Sequence, residues 1–501
     1  MNKLKFAKRA CAAFVLCAAT SLVLPAQTFH VVHTFDGTDG TDVMAALVQA
    51  TDGNLYGTAS GGGASSFGTV FKMTPSGTLT TLYNFCSQPG CTDGEGPVAP
   101  IIQATDGNFY GTTLWGGTGS CELGETCGTV FKITPSGTLT TLHNFCVQSG
   151  CPDGAEPWAG LIQGTDGNFY GTAMQGGANS NSICGNDRVS SCGTVFKITP
   201  SGRLTRLYSF CAQSDCTDGA WPVAGLIQAT DGNFYGTTPK GGAYDEGTVF
   251  KITSKGTLTT LYSFCSQSGC SDGEWPTAAL IQATDGNFYG TTEFGGASSA
   301  GTVFKVTPSG TLTTLYSFCA ESGCTDGAQP QSGLVQATDG NFYGTTHEYG
   351  ANGSNVGGTV FKITPSGSLT TLYSFCSYDC TDGESPWAAL VQDTNGNFYG
   401  TTTQGGAGTA NAGTVFTVGV GLEPFVEPQT SYGEVGKVIK ILGTNLVGAT
   451  SVTFNGTPAV FQVESTFLIR TIVPAGATTG TVQVTTPSGV LSSNVPFRVL
   501  L

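Results

Sequence analysis

Apolar and polar residues alternate along most of this chain in a pattern that recurs every 54 to 65 residues. One copy contains four strand-like segments, separated by turn sequences such as Asp-Gly-Asn and Pro-Ser-Gly that favour tight turns. The segments are 279–283, 288–292, 302–307 and 311–318, here called strands A, B, C and D. Their β-branched and aromatic content favours strands over helices. Four antiparallel strands in each repeat predict one blade of a β-propeller.

Two short phrases mark seven copies of the repeat. Chain length varies only between the phrases or just after nearby cysteines, so those segments are predicted to be loops. Gly-Thr-Val-Phe begins at Gly68, Gly128, Gly193, Gly247, Gly301, Gly358 and Gly413. The phrase (Asp/Asn)-Gly-Asn-(Phe/Leu)-Tyr-Gly-Thr begins at Asp52, Asp106, Asp166, Asp231, Asp285, Asp339 and Asn395.

The two ends of the repeated region favour a ring over an open stack. The last copy has strands A, B and C but no strand D, whereas residues 28–35 align position by position with the strand D of residues 311–318. An N-terminal strand that completes the last sheet ties the chain ends together and removes a free sheet edge. The sequence therefore predicts an all-β protein with a seven-bladed β-propeller over residues 27–419, closed by an N-terminal strand.

Residues 1–26 have the features of a secretory signal peptide. Four basic residues precede an apolar run from Ala10 to Leu24, and Ala26 offers a small residue at a cleavage position. The alternative, a retained membrane anchor, suffers from a run shorter than the ~20 residues that a span requires. We expect export, with no membrane span in the mature chain.

The charge balance restricts the partners. The net charge is −15, and removal of residues 1–26 leaves 15 Lys and Arg against 34 Asp and Glu, a net charge of −19. Such a surface repels nucleic acid and anionic lipid. We therefore exclude nucleic-acid binding and expect an extracellular glycan or a cell-surface protein as the partner of a monomer.

Sixteen cysteines follow residue 26 and fall into eight closely spaced pairs. Even numbers at short spacing in an exported chain predict local disulfides. The alternative, metal ligation, requires four convergent ligands, and pairs that recur one repeat apart are poorly placed to supply them. The pairs are Cys86/Cys91, Cys121/Cys127, Cys146/Cys151, Cys184/Cys192, Cys211/Cys216, Cys265/Cys270, Cys319/Cys324 and Cys376/Cys380.

The repeat Gly-Thr-Val-Phe-Lys-Ile-Thr-Pro-Ser-Gly, with Asp-Gly-Asn-Phe-Tyr-Gly-Thr-Thr upstream, resembles the GloVer tandem-repeat family of exported bacterial proteins. The resemblance covers about residues 28–418. It implies a propeller-like fold and a secreted or cell-surface location in a bacterium. The family brings no activity or cofactor that can be carried over.

Residues 420–501 lack both the repeats and the cysteines. Short strand-like segments with intervening turns predict a small β-sandwich. Gly-Thr-Asn-Leu (443–446), Phe-Asn-Gly (454–456), Val-Pro-Ala-Gly (473–476) and Thr-Pro-Ser-Gly (486–489) resemble the IPT/TIG immunoglobulin-like domain. The resemblance implies a spacer or docking module.

One face of the predicted ring concentrates the variable features. If strand A is innermost, the D–A and B–C loops share this face, here called the upper face, and the A–B and C–D turns share the lower face. The upper face carries all eight cysteine pairs and every tryptophan, and a tryptophan there can stack on a sugar or anchor a protein. The alternative is that each ring caps the core between blades. The tryptophans are Trp115, Trp158, Trp221, Trp275 and Trp387.

Two further sets of residues suggest chemistry. Asp36, Asp39 and Asp42 are candidate Ca²⁺ ligands, although turn formation also explains Asp-Gly sequences. The candidate acids and bases that break the repeat are His347, Glu348 and Tyr349 in one B–C loop and Asp187 and Arg188 in another. They leave open a propeller-type glycoside hydrolase or polysaccharide lyase. We expect instead a non-enzymatic binding or scaffold protein that needs no cofactor.

Overall fold

The computed structural model describes residues 27–121, 126–184, 191–351, 353, 356–376, 378–408 and 410–500. Its regular structure is almost entirely β-strand, so the predicted all-β class is confirmed. Within residues 28–419 the described strands form seven four-stranded antiparallel sheets in a propeller-like fold. None of the described segments is a helix of the length and apolarity that a membrane span requires.

Six sheets follow chain order, each with strands A, B, C and D. The first has β2 (Val48–Gln49), β3 (Leu55–Ala59), β4 (Thr69–Met73) and β5 (Leu79–Asn84); the second has β6 (Ile102–Gln103), β7 (Phe109–Thr113), β8 (Thr129–Ile133) and β9 (Leu139–Asn144). The third has β10 (Ile162–Gln163), β11 (Phe169–Ala173), β12 (Thr194–Ile198) and β13 (Leu204–Ser209); the fourth has β14 (Ile227–Gln228), β15 (Phe234–Thr238), β16 (Thr248–Ile252) and β17 (Leu258–Ser263). The fifth has β18 (Ile281–Gln282), β19 (Phe288–Thr292), β20 (Thr302–Val306) and β21 (Leu312–Ser317); the sixth has β22 (Val335–Gln336), β23 (Phe342–Thr346), β24 (Thr359–Ile363) and β25 (Leu369–Ser374). Short 3₁₀ turns lie at Pro89–Cys91, Ser182–Cys184, Ser214–Cys216, Ser268–Cys270 and Ser322–Cys324.

Strand A is shorter than its apolar run suggests. In the fifth sheet the predicted strand B matches β19 exactly, but strand A contains only Ile281 and Gln282. These two residues pair with Tyr289 and Phe288, and the Ala283 N–H already closes the A–B turn on Asn287 O. The other residues of the apolar run therefore belong to the A–B turn and to the preceding D–A loop.

The seventh sheet joins the two ends of the repeated region. Its strands are β26 (Val391–Gln392), β27 (Phe398–Thr402), β28 (Thr414–Gly419) and β1 (Thr28–Thr34). The N-terminal strand β1 pairs antiparallel with β28, as the alignment of residues 28–35 with a strand D predicts. It also carries a bulge between Val31 and His33, as strand pairs C–D do in the other sheets. Strand β1 therefore occupies the position of the missing strand D.

Aromatic rings fill the space between consecutive sheets. A buried tyrosine of strand B stacks on the phenylalanine that begins strand B of the next sheet, with ring centroids 3.9–4.2 Å apart. In the last sheet Tyr399 belongs to the same core cluster as Leu55 of the first sheet. The six stacked pairs are Tyr56/Phe109, Tyr110/Phe169, Tyr170/Phe234, Tyr235/Phe288, Tyr289/Phe342 and Tyr343/Phe398.

A set of seven hydrogen bonds, here called the glutamine belt, links the A strands of neighbouring sheets. In each bond the glutamine of a strand A accepts the backbone N–H of the threonine that begins the A–B turn of the preceding sheet. Because Thr394 donates to Gln49 at 3.1 Å, the same bond also joins the last sheet to the first. The donor–acceptor pairs are Thr51/Gln103, Thr105/Gln163, Thr165/Gln228, Thr230/Gln282, Thr284/Gln336, Thr338/Gln392 and Thr394/Gln49.

A second set of hydrogen bonds between neighbouring sheets lies nearer the upper face. The hydroxyl of the threonine that ends each strand B phrase donates to a backbone carbonyl just before strand A of the next sheet. Thr237 donates to Ala278 O at 3.0 Å, and Thr401 of the last sheet donates to Ala45 O of the first at 3.3 Å. Neighbouring sheets are thus hydrogen-bonded to each other at both ends of strand A.

Residues after 425 form two further four-stranded sheets around one apolar core, together with a two-stranded parallel pair. One sheet has β29 (Val426–Pro428), β31 (Val438–Gly443), β35 (Leu468–Ile472) and β34 (Phe461–Val463). The other has β33 (Thr457–Pro458), β32 (Ser451–Phe454), β36 (Val482–Thr486) and β37 (Gly489–Ser492). The pair is β30 (Tyr432–Glu434) with β38 (Arg498–Leu500).

This C-terminal segment contacts the lower face beside the A strands. The Gln429 amide donates to Ala104 O at 3.0 Å, the Tyr432 hydroxyl to Gly164 O at 3.1 Å and the Asn494 amide to Gln336 O at 2.7 Å. The Arg498 guanidinium donates to Thr230 O, and the Thr444 and Thr394 hydroxyls lie 3.1 Å apart. A cavity of about 300 Å³ remains between the segment and the second to fourth sheets. The contacts involve five different sheets, so the segment covers the lower end of the strands A.

The sequence of the seventh sheet differs from the other copies of the repeat close to the C-terminal segment. Asp393 replaces the alanine or glycine that follows the glutamine elsewhere. Its side chain is 2% exposed, and Oδ2 has no hydrogen-bond partner. Desolvation raises the pKa of Asp393 to about 6. Its charged neighbour is Glu427 of the C-terminal segment, whose side chain is exposed to solvent. Desolvation, followed by the charge of Asp393, raises the pKa of Glu427 to about 7.

Replacement of Phe29 tests whether β1 is an integral strand. Phe29 stacks on Tyr373 at 3.6 Å and contacts Phe416, whereas His30 on the same strand is exposed. We expect Phe29→Ala to lower the free energy of unfolding by about 2 kcal/mol or more, because a packed aromatic ring is removed. His30→Ala should change it by less than about 0.5 kcal/mol. Urea unfolding measures both, and equal effects would contradict an integral β1.

Asp393→Asn tests the buried carboxyl. A folded-state pKa near 6 lies about 2 units above the ordinary value, so the charge costs about 3 kcal/mol. Because the folded state binds the proton more tightly, this cost develops as the pH rises from 4 to 6 and then stays constant. We expect the variant to be more stable than the wild type at pH 8 and equal to it near pH 3.5, as thermal unfolding at several pH values would show. A gain that is independent of pH would contradict this assignment.

Candidate ligand-binding site

The D–A loops of the upper face are held by a buried aspartate. In the fourth sheet Asp272 is completely buried and accepts the Tyr262 hydroxyl at 2.7 Å and the Ser266 N–H at 2.9 Å. Desolvation, with the Asp272 charge as a further cause, raises the pKa of Tyr262 to about 12. Asp93, Asp218 and Asp326 are buried in the same way in other sheets. These Asp-Gly sequences therefore fix the loop behind each cysteine pair.

The eight predicted cysteine pairs are the eight disulfides of the structure. The sequence did not reveal one feature of their arrangement. Pairs from a B–C loop and from the following D–A loop converge at two places, because both loops rise from the same end of one sheet. The two groups, each with all sulfur atoms within 4.8 Å of one another, are Cys121, Cys127, Cys146 and Cys151, and Cys184, Cys192, Cys211 and Cys216.

The candidate calcium ligands are engaged within their own loop. Asp36 accepts the N–H and hydroxyl of Thr38, and hydrogen bonds within the loop lower its pKa. Asp39 lies 2.7 Å from His33 Nε2, and Asp42 accepts the Thr41 hydroxyl. Local hydrogen bonds account for all three carboxylates, and calcium binding there stays a prediction.

The tryptophans divide into two groups by exposure. Trp115 is 36% exposed, whereas Trp158, Trp221, Trp275 and Trp387 are half-buried. Trp275 donates from Nε1 to Glu246 at 2.7 Å, and the Lys240 ammonium lies 4.3 Å from its ring centroid. Each half-buried ring thus packs partly between loops and keeps an accessible part. Both alternatives from the sequence, packing and ligand contact, are compatible with this geometry.

A polar cluster lies where the fifth, sixth and seventh sheets meet the upper face. Glu293 directly follows a strand B, and its Oε1 accepts the Gln331 amide at 2.8 Å from the next D–A loop. His347 occupies the equivalent position one sheet later, and its ring meets Trp387 edge-on at 5.2 Å. Glu348 accepts the Gln329 amide at 3.0 Å. We call Glu293, Gln331, His347, Glu348 and Trp387 the candidate site.

Burial changes the protonation of this site. Desolvation raises the pKa of Glu293 and of Glu348, and the charge of Glu348 adds to the effect at Glu293. Desolvation lowers the pKa of His347, which favours the neutral imidazole at neutral pH. The site therefore combines a neutral histidine with two carboxyl groups that take up protons more readily than usual.

Several buried polar atoms of the upper face lack a hydrogen-bond partner. Among the described residues seven such side-chain atoms occur, and five of them lie on D–A or B–C loops. Such atoms are costly to leave unsatisfied, so they are places where water or a ligand binds. The five are Gln175 Oε1, Trp221 Nε1, Thr277 Oγ1, Gln331 Oε1 and His347 Nδ1.

The sequence located this site only in part. His347, Glu348 and Trp387 were candidates, and the structure brings them together. Tyr349 instead packs against the core beneath. Asp187 and Arg188 lie outside the described residues. Glu293 and Gln331 were missed, although each stands at a repeat position occupied by apolar residues in the second sheet and its following loop, Leu114 and Trp158.

Solved structures resemble this chain at low sequence identity. A fungal alcohol oxidase of the AA5 family, in complex with copper, is 12% identical with a TM-score of 0.50, over 95% of this chain and 99% of its own. A protein of unknown function and an auxiliary nutrient-binding protein, both from Bacteroides thetaiotaomicron, are 13% and 10% identical. Their TM-scores are 0.39 and 0.40, and each match covers 79% of this chain and 76% of the other. No curated protein matches the sequence.

The copper of the fungal enzyme finds no counterpart in the residues described for this chain. No group of three or more convergent His, Cys, Asp and Glu side chains among them includes a histidine. At 12% identity the likeness concerns the fold alone.

A repeat family covers almost the whole chain. Its model matches residues 19–186, 185–352 and 320–485, which include all seven copies of the two phrases. This confirms the resemblance that the phrases indicated. The chain belongs to the Gloeobacter/Verrucomicrobia repeat family.

Proposed function

We propose that this chain is an exported binding protein built as a closed seven-bladed propeller over residues 27–419. The glutamine belt and the Thr401–Ala45 bond support closure, because both continue from the last sheet to the first. Eight disulfides favour an oxidising, extracytoplasmic location after removal of residues 1–26. Residues 420–501 would be an immunoglobulin-like domain of the IPT/TIG type that docks on the lower face.

The ligand of the propeller is an uncharged glycan bound at the candidate site. The observation that carries this proposal is the concentration of unpartnered buried polar atoms on the upper face. Amide, imidazole and carboxylate groups next to an indole ring provide the hydrogen bonds and the flat apolar surface that a sugar uses. A mature net charge of −19 disfavours polyanionic ligands.

A glycoside hydrolase or polysaccharide lyase is the second candidate. The pKa of Glu293 and of Glu348 is raised, as a general acid requires, and this is the observation that supports the second candidate. The two functions differ in one readout, since an enzyme releases shortened or unsaturated products and a binding protein does not.

Gln49→Leu and Gln228→Leu test ring closure. Gln49 bonds the first sheet to the last, whereas Gln228 makes the same bond inside the array. In a closed ring both variants leave a backbone N–H without its partner, and each should lower the free energy of unfolding by about 1–3 kcal/mol. In an open stack Gln49→Leu would cost far less. Chemical unfolding of the two variants decides between these outcomes, with the exposed Gln267→Leu as the control.

Trp387→Ala and Glu293→Gln test the ligand site. We expect the mature protein to bind a neutral glycan on an array, and each variant to weaken that binding at least about tenfold by calorimetry. Tyr378→Ala should leave it unchanged, since this ring lies on the same D–A loop as Trp387 but is 95% exposed and does not belong to the candidate site. Absence of glycan binding, or equal loss in the Tyr378 variant, would contradict the proposal. Product release by the wild type that Glu348→Gln abolishes would establish the enzyme instead.

A further inference from the structure

Seven residues occupy equivalent positions where the D–A loops reach the strands A. In the fifth sheet the chain from Thr277 to Leu280 alternates between half-buried and buried residues. The buried Leu280 packs in the core between sheets. Because side chains alternate in direction along an extended segment, Thr277 and Ala279 point the opposite way, toward the space between the strands A. We call the seven positions the mouth ring: Met44, Val98, Trp158, Val223, Thr277, Gln331 and Trp387.

Small residues two positions further along the chain form a narrow level below the mouth ring. A Cβ atom at Gly225 would lie 3.9 Å from Ala279 Cβ, and one at Gly333 would lie 3.8 Å from Ala389 Cβ. Residues of neighbouring sheets are therefore in van der Waals contact at this level. A ligand that enters from the upper face thus meets the mouth ring before the space narrows.

One side of the mouth ring is apolar. A residue that directly follows a strand B adjoins the mouth-ring residue of the next sheet, as His347 adjoins Trp387. On the apolar side both members of such pairs are apolar, and none of their side chains carries a buried polar atom without a partner. This side offers packing surface but no hydrogen bond for a ligand to complete. The pairs are Leu114 with Trp158 and Met174 with Val223.

The other side has one unpartnered buried polar atom at each of three successive junctions between sheets. Thr277 Oγ1 lies at the junction of the fourth and fifth sheets, Gln331 Oε1 at that of the fifth and sixth, and His347 Nδ1 at that of the sixth and seventh. The two other such atoms of the upper face, in Gln175 and Trp221, belong to repeat positions outside the mouth ring and its adjoining residues. The three atoms therefore follow an arc around the ring.

We propose that this arc is one extended site for a neutral oligosaccharide of three or more units. The inference rests on the function proposed above, and it adds Thr277 to the residues that recognise the ligand. A sugar hydroxyl both donates and accepts, so it can pair with a threonine hydroxyl, an amide oxygen or either tautomer of an imidazole. A single sugar unit stacked on Trp387 pairs with His347 and Gln331 but leaves Thr277 without a partner, whereas further units along the arc supply it.

Oligosaccharides of graded length test the proposal. The mature protein is titrated with neutral gluco-, manno- and xylo-oligosaccharides of one to six units, by calorimetry or, for weak binding, by ligand-observed NMR. In at least one series we expect affinity to rise at least about tenfold from one unit to three and less than about twofold from four to six. Affinity that is independent of length would overturn the extended site and leave glycan binding intact. Absence of binding in all series and on the glycan array would overturn both.

Thr277→Val separates the extended site from the candidate site. The equivalent residue of the fourth sheet is Val223, so the repeat already accommodates valine at this position. We expect the affinity for the trisaccharide to fall about fivefold or more and that for the monosaccharide to stay unchanged, because only the longer ligand reaches the hydroxyl. Trp387→Ala should weaken both.

Thr311→Val is the matched control, since it removes an exposed hydroxyl from a C–D turn on the lower face and should change neither affinity. Thermal unfolding of the two threonine variants checks that they fold as the wild type does. Equal losses for both ligand lengths in Thr277→Val, or no loss for either, would overturn the proposal.

Discussion

The hydrogen bond from a backbone N–H to the glutamine of the neighbouring strand A is the interaction on which the repeated fold depends. Strand A contains only two residues and pairs with strand B alone, so its other side needs polar partners. The glutamine supplies one from the next sheet, as Gln282 does for Thr230 at 2.8 Å. Because the bond joins the A–B turn of one sheet to strand A of the next and recurs at all seven junctions, it restricts the position of each sheet relative to its neighbour.

Near-identity of the repeats follows from this constraint. The partner of every sheet is another copy of the same sheet, so the glutamine, the strand B tyrosine and the phenylalanine that begins strand B must each fit the same residues in a neighbouring copy. The loops on the upper face are free of this requirement, and they contain the length variation, the disulfides and the tryptophans. The departures in the seventh sheet, Asp393 and Asn395, coincide with the place where the C-terminal segment crosses the lower face.

Much of the fold was predictable because local patterns determine it. Alternation and turn residues located strand B exactly at Phe288–Thr292, the alignment of residues 28–35 predicted the pairing of β1 with β28, and spacing predicted all eight disulfides. The docking of residues after 425 was not predictable, since Gln429 and Tyr432 bind the backbone carbonyls of Ala104 and Gly164, and such contacts leave no sequence signal. The pairing of Glu293 with Gln331 was missed for a related reason, because the partners are 38 residues apart on neighbouring sheets.

Because the C-terminal segment covers the lower face, the upper face is the accessible end of the strands A. A ligand that approaches the strands A from below meets the C-terminal segment, whereas from above it meets Gln331 and His347, each of which has a buried polar atom without a hydrogen-bond partner. Unsatisfied buried groups weaken the free protein, and a ligand that supplies their partners recovers that cost on binding. In the second sheet and its following loop, Leu114 stands at the position of Glu293 and Trp158 at that of Gln331, and the sheet has the same four strands. Polar residues that are not needed for packing, and that lie at the one accessible end of the strands A, are therefore better explained by recognition of a ligand than by the fold.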